Sequence, residues 1–441
     1  MQNQVNHNHE LLDVIGIGLG PFNLGLAALL EQVPEVKAKF FEQKQEFQWH
    51  PGMLIKGTTL QVPFFADLVT MADPTSRYTF LNYLHEHNRL YKFYFLERFF
   101  VPRREYNHYC QWVASQLESC SFGKRVDHIE RVTQADQTLF KLTVYDQKED
   151  IQKDYYARHI VIGVGSTPSI PSDFEHLSSD QIFHSAHFLQ NQERCRHANS
   201  ITVIGSGQSA AEVFYTLLQE QEDYGYRLNW FTRSKGFFPM EYSKLGLEHF
   251  SPDYKNYFYE LPQEKRDEIF QKQDLLYKGI SFSMIGEIYD LLYENSVGSK
   301  PLDVHLQALT ELVDIKKKEA GDYQLVCHQW EQDKSFTLNS EVVILATGYR
   351  HEIPSFLYSL SNLIKRDQYG RYIVEKDYTL SLTDTSTNQI FIQNGELHTH
   401  GVGAPDLGLG AHRSAIIINK LAGRDVYSVC DCNVFQQFGL K

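Results

Sequence analysis

Two short glycine patterns hold the residues of this chain whose spacing could do chemistry. The first, Gly16-x-Gly18-x-Gly20, lies in LLDVIGIGLGPFNLGLAALLE, residues 11–31. The second, Gly205-x-Gly207-x-x-Ala210, lies in SITVIGSGQSAAEVFYTLLQ, residues 200–219. Each follows an apolar run and opens a stretch of helical character. Glycines at these positions let the backbone turn sharply and approach a pyrophosphate, and the free amides at the helix start face the anion. Each pattern predicts one dinucleotide site. A glycine-rich turn in some other α/β protein is the plainer reading of either pattern alone.

The residues beyond each motif say which nucleotide. KAKFFE, residues 37–42, reads as a strand ending in Glu42, roughly 26 residues past Gly16 and near the spacing that offers a carboxylate to a ribose hydroxyl. Pro21 stands where the last glycine or alanine of the motif is usual, which the first turn of a helix accepts. RLNWFT, residues 227–232, runs instead into Arg233-Ser234-Lys235. A guanidinium attracts a 2′-phosphate where a carboxylate repels it, so the second site is expected to take NADPH in preference to NADH. A solvated strand-end charge is the plainer alternative for Arg233.

One acid-terminated and one arginine-terminated motif imply a flavin reduced by NADPH, whose electrons need an acceptor. The cysteines are Cys110, Cys120, Cys195, Cys327, Cys430 and Cys432. They form no C-x-x-C pair and no iron–sulfur ligand set. Cys430-Asp431-Cys432 reads as two reduced thiols in preference to a metal site, so no metal is expected. Dioxygen is the remaining simple acceptor: a flavin hydroperoxide would form and pass its distal oxygen to a nucleophilic substrate.

Elements that could position these motifs are legible along the 441 residues, a length that suggests two or three domains. The fold class expected is α/β, with two Rossmann-like dinucleotide-binding domains and a small helical substrate domain. An FAD domain is expected over residues 1–170 and 335–441, an NADPH domain over 171–240 and 300–334, and a helical substrate segment over 241–299. In the first motif helix, Leu24, Ala27, Ala28 and Leu30 make one apolar stripe for packing on a sheet. Asp73-Pro74-Thr75-Ser76 predicts a turn ahead of a helix from about Tyr78, and a second helix begins near Arg103. Trp49, His50 and Gln61 follow the ribose-binding strand, where a loop could fold over a flavin ring, although each alone reads as a packing or surface residue. Residues 263–294 read as two helices. The glycine-rich loop at 399–408 leads into a helix from about Ala411 that could carry the tail back over the first cofactor.

Composition excludes several function classes. The net charge is −13 with basic residues scattered, which argues against nucleic acid and anionic membranes. No apolar run approaches the ~18 residues of a membrane span. MQNQVNHNHE lacks the features of a signal peptide, so the cytoplasm is the expected location.

Taken together, GxGPFNLGLAALL, FFEQKQEFQWHPGML, Leu60-Gln61, DPTSRYTFLNYL, IGSGQSAAE, ATGY and THG carry a resemblance that spans about residues 13–420. The chain resembles the siderophore-associated N-hydroxylating flavin monooxygenases, the lysine N6-hydroxylase and ornithine N5-hydroxylase family. The F-x-G-x-x-x-H-x-x-x-W signature of general flavin and Baeyer–Villiger monooxygenases does not occur. The resemblance implies FAD contacts from Glu42 through Trp49 and His50, and from Gln61, Val126, Pro405, Asp406 and Leu407. It implies that Ser206, Gly207, Gln208 and Ser209 hold the NADPH pyrophosphate and that Arg233 meets the adenosine end. It also implies that NADP⁺ stays bound to exclude water, and that the protein is a homodimer or homotetramer. No acid or base catalyst stands out, so the amine itself must arrive neutral.

The departures from the family pattern bear on the substrate. The lysine with which amino-acid hydroxylases pair the substrate carboxylate falls on Ala66, in VPFFADL. Their substrate-binding asparagines fall on Leu247 and Leu276, and their tail serine on Gly408. An unpaired buried carboxylate costs several kcal/mol. The expected substrates are therefore O2 and a primary amine without a carboxylate: histamine, putrescine or cadaverine. GAPDLGLGAHRS also resembles the diamine-hydroxylating members. An L-lysine N6- or L-ornithine N5-monooxygenase is the first alternative, an uncoupled NADPH oxidase the second, and a non-catalytic redox sensor the third.

Overall fold

The structure, a computed structural model, describes residues 10–134, 136–298, 301–319, 321–430 and 432–440. Asp431 and the N-terminal stretch read above for signal features lie outside the described residues, except Glu10.

The first glycine motif joins the Leu11–Ile17 strand to the Pro21–Leu30 helix. That strand is buried between two parallel neighbours, Ala38–Glu42 and Ile151–Ile162. Cys120–Phe122 extends the sheet beyond Ala38–Glu42. On the other side, Ile151–Ile162 does two jobs. Its first half pairs antiparallel with Gln137–Asp146, which pairs in turn with Lys124–Gln134, while its last three residues pair parallel with Ile390–Ile392. The first motif helix is buried on nearly every side, not along one stripe. The Gly410–Ala422 helix covers the face that the sheet leaves open, so the tail returns to the first domain by packing on its motif helix. The Tyr427 hydroxyl pins this return by donating to the Leu29 carbonyl at 2.7 Å.

The second motif joins Ser200–Ile204 to the Gln208–Tyr224 helix in a fully parallel five-stranded sheet. Its strand order is Ile182–His184, Val342–Leu345, Ser200–Ile204, Arg227–Phe231, Val304–Gln307. This corrects one expected boundary. Val342–Leu345, placed by sequence in the FAD domain, is a central strand of the second sheet. Four buried apolar residues satisfy either sheet equally well, so the run carries no label of its own. A three-stranded antiparallel sheet, Thr310–Lys317, Tyr323–Gln329 and Lys334–Ser340, flanks this domain.

Residues 241–298 are largely helical as expected, but they do not form one body. Three helices, Gln263–Lys272, Asp274–Tyr277 and Phe282–Asn295, replace the two expected over 263–294. The Ser281 hydroxyl accepts from the Met284 amide at 3.3 Å and starts the last of them afresh. Pro252–Glu260 and Gln263–Lys272 pack on the tail around 397–403, whereas Phe282–Asn295 packs on the second motif helix. The segment therefore bridges the two nucleotide domains.

Candidate active site

At the first motif, steric need accounts for two of the three glycines. Gly16 faces the Phe40 ring, which a Cβ would meet at 2.0 Å. Gly18 sits at φ +85°, and a Cβ there would lie 2.6 Å from the Gly163 carbonyl oxygen. Gly20 is different. It is the residue before the helix, in extended backbone, and a Cβ would meet no protein atom within 4 Å. Its openness faces outward from the helix start, where an anion approaches. Glu42 lies at the mouth of this loop, its carboxylate accepting from the Leu19 amide at 2.8 Å and the Lys44 amide at 2.9 Å. Asn23 braces the loop from below, donating to the Ile17 and Gly18 carbonyls and accepting from Gln393 at 2.7 Å. Neither was marked by sequence, because a polar residue in a helix start, as Asn23, or just past a strand, as Gln393, reads as exposed.

The loop after Glu42 holds the next predicted residues. The Trp49 amide donates to Asn107 Oδ1 at 2.9 Å, and its ring packs edge-on against Tyr106 at 5.2 Å. His50 adopts left-handed backbone (φ 47°), and its ring lies 5.3 Å from Tyr349 of the ATGY motif. Lost hydration first, then the charges of Arg103 and Lys44, lower its imidazole pKa to about 4. The same loop reaches the other domain: Met53 and Ile55 belong to the core of the second nucleotide domain. Gln61 Nε2 is buried with no hydrogen-bond partner among the described residues. Val126 turns its side chain into the core it shares with Phe41.

The tail brings in the remaining predicted positions. Asp406 Oδ1 accepts from the Gly408 amide at 2.8 Å and shapes the turn. Loss of hydration pushes its carboxyl up to about 6, against the Gly408 amide and the charge of Arg413. Pro405 is exposed and Leu407 packs on the first domain's core. A Cβ on Gly408 would lie 3.9 Å from the Ala66 Cβ, so two of the four predicted substrate positions meet directly across 342 residues of sequence. Ala66 is 4% exposed. Leu247 and Leu276 lie on the helical segment. Leu247 is 40% exposed, and Leu276 packs on the small core of Tyr254, Phe258 and Val402. Half-buried Tyr242, which the sequence reading missed, feels the Asp406 charge, although lost hydration is what chiefly raises its phenol to about 12.

At the second motif, Gly205 takes φ +146°, with a Cβ position 2.3 Å from the Ala346 carbonyl oxygen. Gly207 caps the helix start with no atom near its Cβ position, repeating the open geometry of Gly20. Ser206 Oγ accepts from Ser234 Oγ at 2.9 Å. The Gln208 side chain is committed elsewhere, to Glu212 and Ser281, which leaves only its backbone to a pyrophosphate. Ser209 lies half-buried in the first helical turn. Arg233 is exposed beyond the Arg227–Phe231 strand and pairs with no carboxylate among the described residues. The orphaned Gln61 amide and the two open glycine cradles fit dinucleotide cofactors at both motifs. No cluster of metal-ligating side chains occurs among the described residues, and all six cysteines are free.

Two dinucleotide folds, one on a mixed sheet and acid-tipped, the other on a parallel sheet and followed by an exposed arginine, define a flavoprotein of the two-nucleotide-domain class. The chain belongs to the L-lysine 6-monooxygenase/L-ornithine 5-monooxygenase family, whose profile matches residues 10–351. A putrescine N-hydroxylase of Shewanella oneidensis is 43% identical over 98% of this chain and 85% of its own length. The FAD-bound structure of DfoA, the cadaverine monooxygenase of the desferrioxamine pathway of Erwinia amylovora, superposes with a TM-score of 0.93. It is 41% identical and covers 98% of this chain and 99% of that one. The ornithine N-hydroxylase of Kutzneria sp. 744, solved with reduced FAD, NADP⁺ and L-ornithine, gives a TM-score of 0.87. Its identity is 28%, over 93% of this chain and 99% of that one. The protein is thus an FAD- and NADPH-dependent N-monooxygenase. No helix among the described residues is long and apolar enough to cross a membrane.

Proposed function

We propose that the chain hydroxylates one nitrogen of a small diamine, putrescine or cadaverine, with histamine as the third amine of the same type. The single observation that carries this reading is the Ala66–Gly408 contact. Where amino-acid hydroxylases place a lysine and a serine against the substrate head group, this wall offers a methyl group and a bare backbone. A carboxylate there would lose its water and gain no cation. The two relatives at 41–43% identity are a putrescine and a cadaverine enzyme, whereas the ornithine enzyme stands at 28%.

The overall reaction consumes RNH2, O2, NADPH and a proton and yields RNHOH, water and NADP⁺. One oxygen atom goes to nitrogen, the other leaves as water, and NADPH supplies the two electrons. Bound FAD, reduced by NADPH, supplies the activated oxygen. Glu42, the amides around Gly20, Gln61 and the 405–407 turn hold the flavin nucleotide, and the backbone of 206–209 holds the NADPH pyrophosphate. Helices Pro252–Glu260 and Gln263–Lys272, packed on the tail, keep water from the reacting nitrogen, which attacks as the free amine. The work belongs to the cytoplasm, as part of hydroxamate siderophore synthesis. Hydroxylamine formed from each diamine, matched to NADPH consumed, tests the reading; peroxide release without amine product would show an oxidase instead.

In this reading Arg233 selects NADPH by its 2′-phosphate. Arg233→Ala is expected to raise KM for NADPH about 10- to 100-fold and leave KM for NADH within about twofold, the cost of one charge-assisted phosphate contact. Steady-state kinetics with both coenzymes would show equal effects if Arg233 were only a surface charge.

The protein acts as a homodimer or homotetramer. The Leu90–Leu96 helix buries none of its residues, and Tyr91, Tyr94, Phe95 and Phe99 are each more than half exposed. At 150–250 Å² per ring this is roughly 500 Å² of open aromatic surface, on the scale of patches that mark contacts. A second copy seated there, with Tyr94→Glu and Phe95→Glu expected to give monomers in sedimentation velocity, is the occupant proposed; a monomeric wild type would refute it.

A further inference from the structure

The two nucleotide domains are joined by an ion pair that the chemistry of the motifs does not require. Arg103 opens the Arg103–Gln116 helix of the FAD domain, and Glu212 lies one turn into the second motif helix. The guanidinium meets the carboxylate fork to fork, with Nη1 donating at 2.6 Å and Nη2 at 2.8 Å. The Arg103 side chain is 14% exposed and that of Glu212 is 1% exposed. Burial pushes the Glu212 carboxyl up, and the Arg103 charge opposes this most strongly.

The pair does not end there. Glu212 Oε1 also accepts from Gln208 Nε2 at 2.9 Å, inside the second glycine motif. Gln208 Oε1 accepts in turn from the Ser281 amide at 2.8 Å, at the cap of the Phe282–Asn295 helix. On the other side, Arg103 Nη1 reaches the Met53 carbonyl and the Arg104 Nε donates to the Leu54 carbonyl at 2.9 Å. The 51–55 loop thus held is the one whose Met53 and Ile55 enter the second domain's core. Its Gly52 is pressed so closely on the 185–187 turn that a Cβ would fall 2.0 Å from the Ala186 carbonyl oxygen. One chain of contacts therefore runs from the FAD domain, through the NADPH loop, to the bridging helix.

A buried ion pair is a poor way to add stability, since apolar side chains of the same volume do as well. Its bidentate geometry, however, is satisfied at one relative placement of the two helices and lost with a small rotation. We propose that Arg103 and Glu212 are positioning residues that latch the NADPH domain at the angle that presents the nicotinamide to the flavin, with Gln208 tying the latch to the NADPH loop. The inference rests on the FAD and NADPH assignment and not on which amine is oxidised.

The test uses the holoenzyme and two conservative variants, Arg103→Lys, which keeps the charge and loses the fork, and Glu212→Gln, which keeps the shape and loses the charge. In both, anaerobic flavin reduction by NADPH is expected to slow about 10- to 100-fold, the penalty of misplacing reactants by about an ångström. Bound FAD per chain stays at the wild-type level. Dithionite-reduced enzyme with putrescine and without NADP⁺ reacts with O2 at the wild-type rate. Amide hydrogen exchange rises at 51–55, at 185–187 and at Ser281, whose amide donates to Gln208, and stays at the wild-type level in the central strands Leu11–Ile17 and Ser200–Ile204. Reduction within twofold of wild type in both variants overturns the proposal, as does an equal loss in both half-reactions, which would mark general damage. An enzyme that proves inactive on diamines but active on an amino acid leaves this test intact, run with that amino acid in place of putrescine.

Discussion

Ala66→Lys is expected to cost about 100-fold in kcat/KM for putrescine and cadaverine beyond whatever Ala66→Met costs. Both replacements add bulk at Ala66, whose methyl a Gly408 Cβ would face at 3.9 Å. Only lysine adds a charge. A diamine keeps one nitrogen as ammonium while the other attacks, so a second cation a few ångströms away repels it by about 3–4 kcal/mol at an effective dielectric of about 20. Part of that is relieved by water and by Asp406, leaving about 2.7 kcal/mol, or 100-fold. Reduction of the flavin by NADPH without amine should be unchanged in both variants. Equal losses for lysine and methionine would mean that the wall senses bulk alone.

The second large effect is expected at the first glycine motif. Gly18→Ala should yield protein that loses FAD on purification. The residue holds φ +85°, a region that costs an alanine roughly 1–2 kcal/mol, and its Cβ would press 2.6 Å from the Gly163 carbonyl oxygen. Backbone, unlike a side-chain tip, cannot swing aside, so the loop itself must shift. Gly20→Ala separates cofactor from fold. Nothing of the protein lies within 4 Å of its Cβ position, so the melting temperature of the apoprotein should stay within about 1 °C of wild type. FAD affinity should nevertheless fall at least about tenfold, roughly 1.4 kcal/mol, because the methyl group stands where the pyrophosphate approaches. Titration of both apoproteins with FAD checks this. Wild-type affinity in Gly20→Ala would move the pyrophosphate away from this helix start.

Why the motifs were readable and the pocket wall was not follows from the range of the forces involved. Gly18 and Gly205 hold a positive-φ backbone that glycine adopts readily, so their type and spacing announce the turn. Glu42 and Arg233 stand at strand ends that the motif itself defines. Ala66 and Gly408 are small residues far apart in sequence, and no spacing rule joins them; only the family resemblance marked both. Arg103 and Glu212 were invisible for another reason. Each lies on a helix where a charge reads as solvated, and their burial follows from how two domains meet. The Val342–Leu345 strand was given to the wrong sheet because a short buried run states that it is buried and not beside what. The first motif helix was read as one-sided because its cover, the Gly410–Ala422 helix, comes from the far end of the chain.

Hydroxylamine product measured for lysine, ornithine, putrescine, cadaverine and histamine, at matched concentrations with NADPH and O2, tests the central claim most directly. With Ala66 and Gly408 at the head-group position, the enzyme should turn over at least one decarboxylated amine with NADPH consumption coupled to product, and favour it over either amino acid by about 100-fold or more in kcat/KM, the value of an unpaired buried charge. Robust lysine or ornithine hydroxylation with none of the three carboxylate-free amines accepted would contradict it.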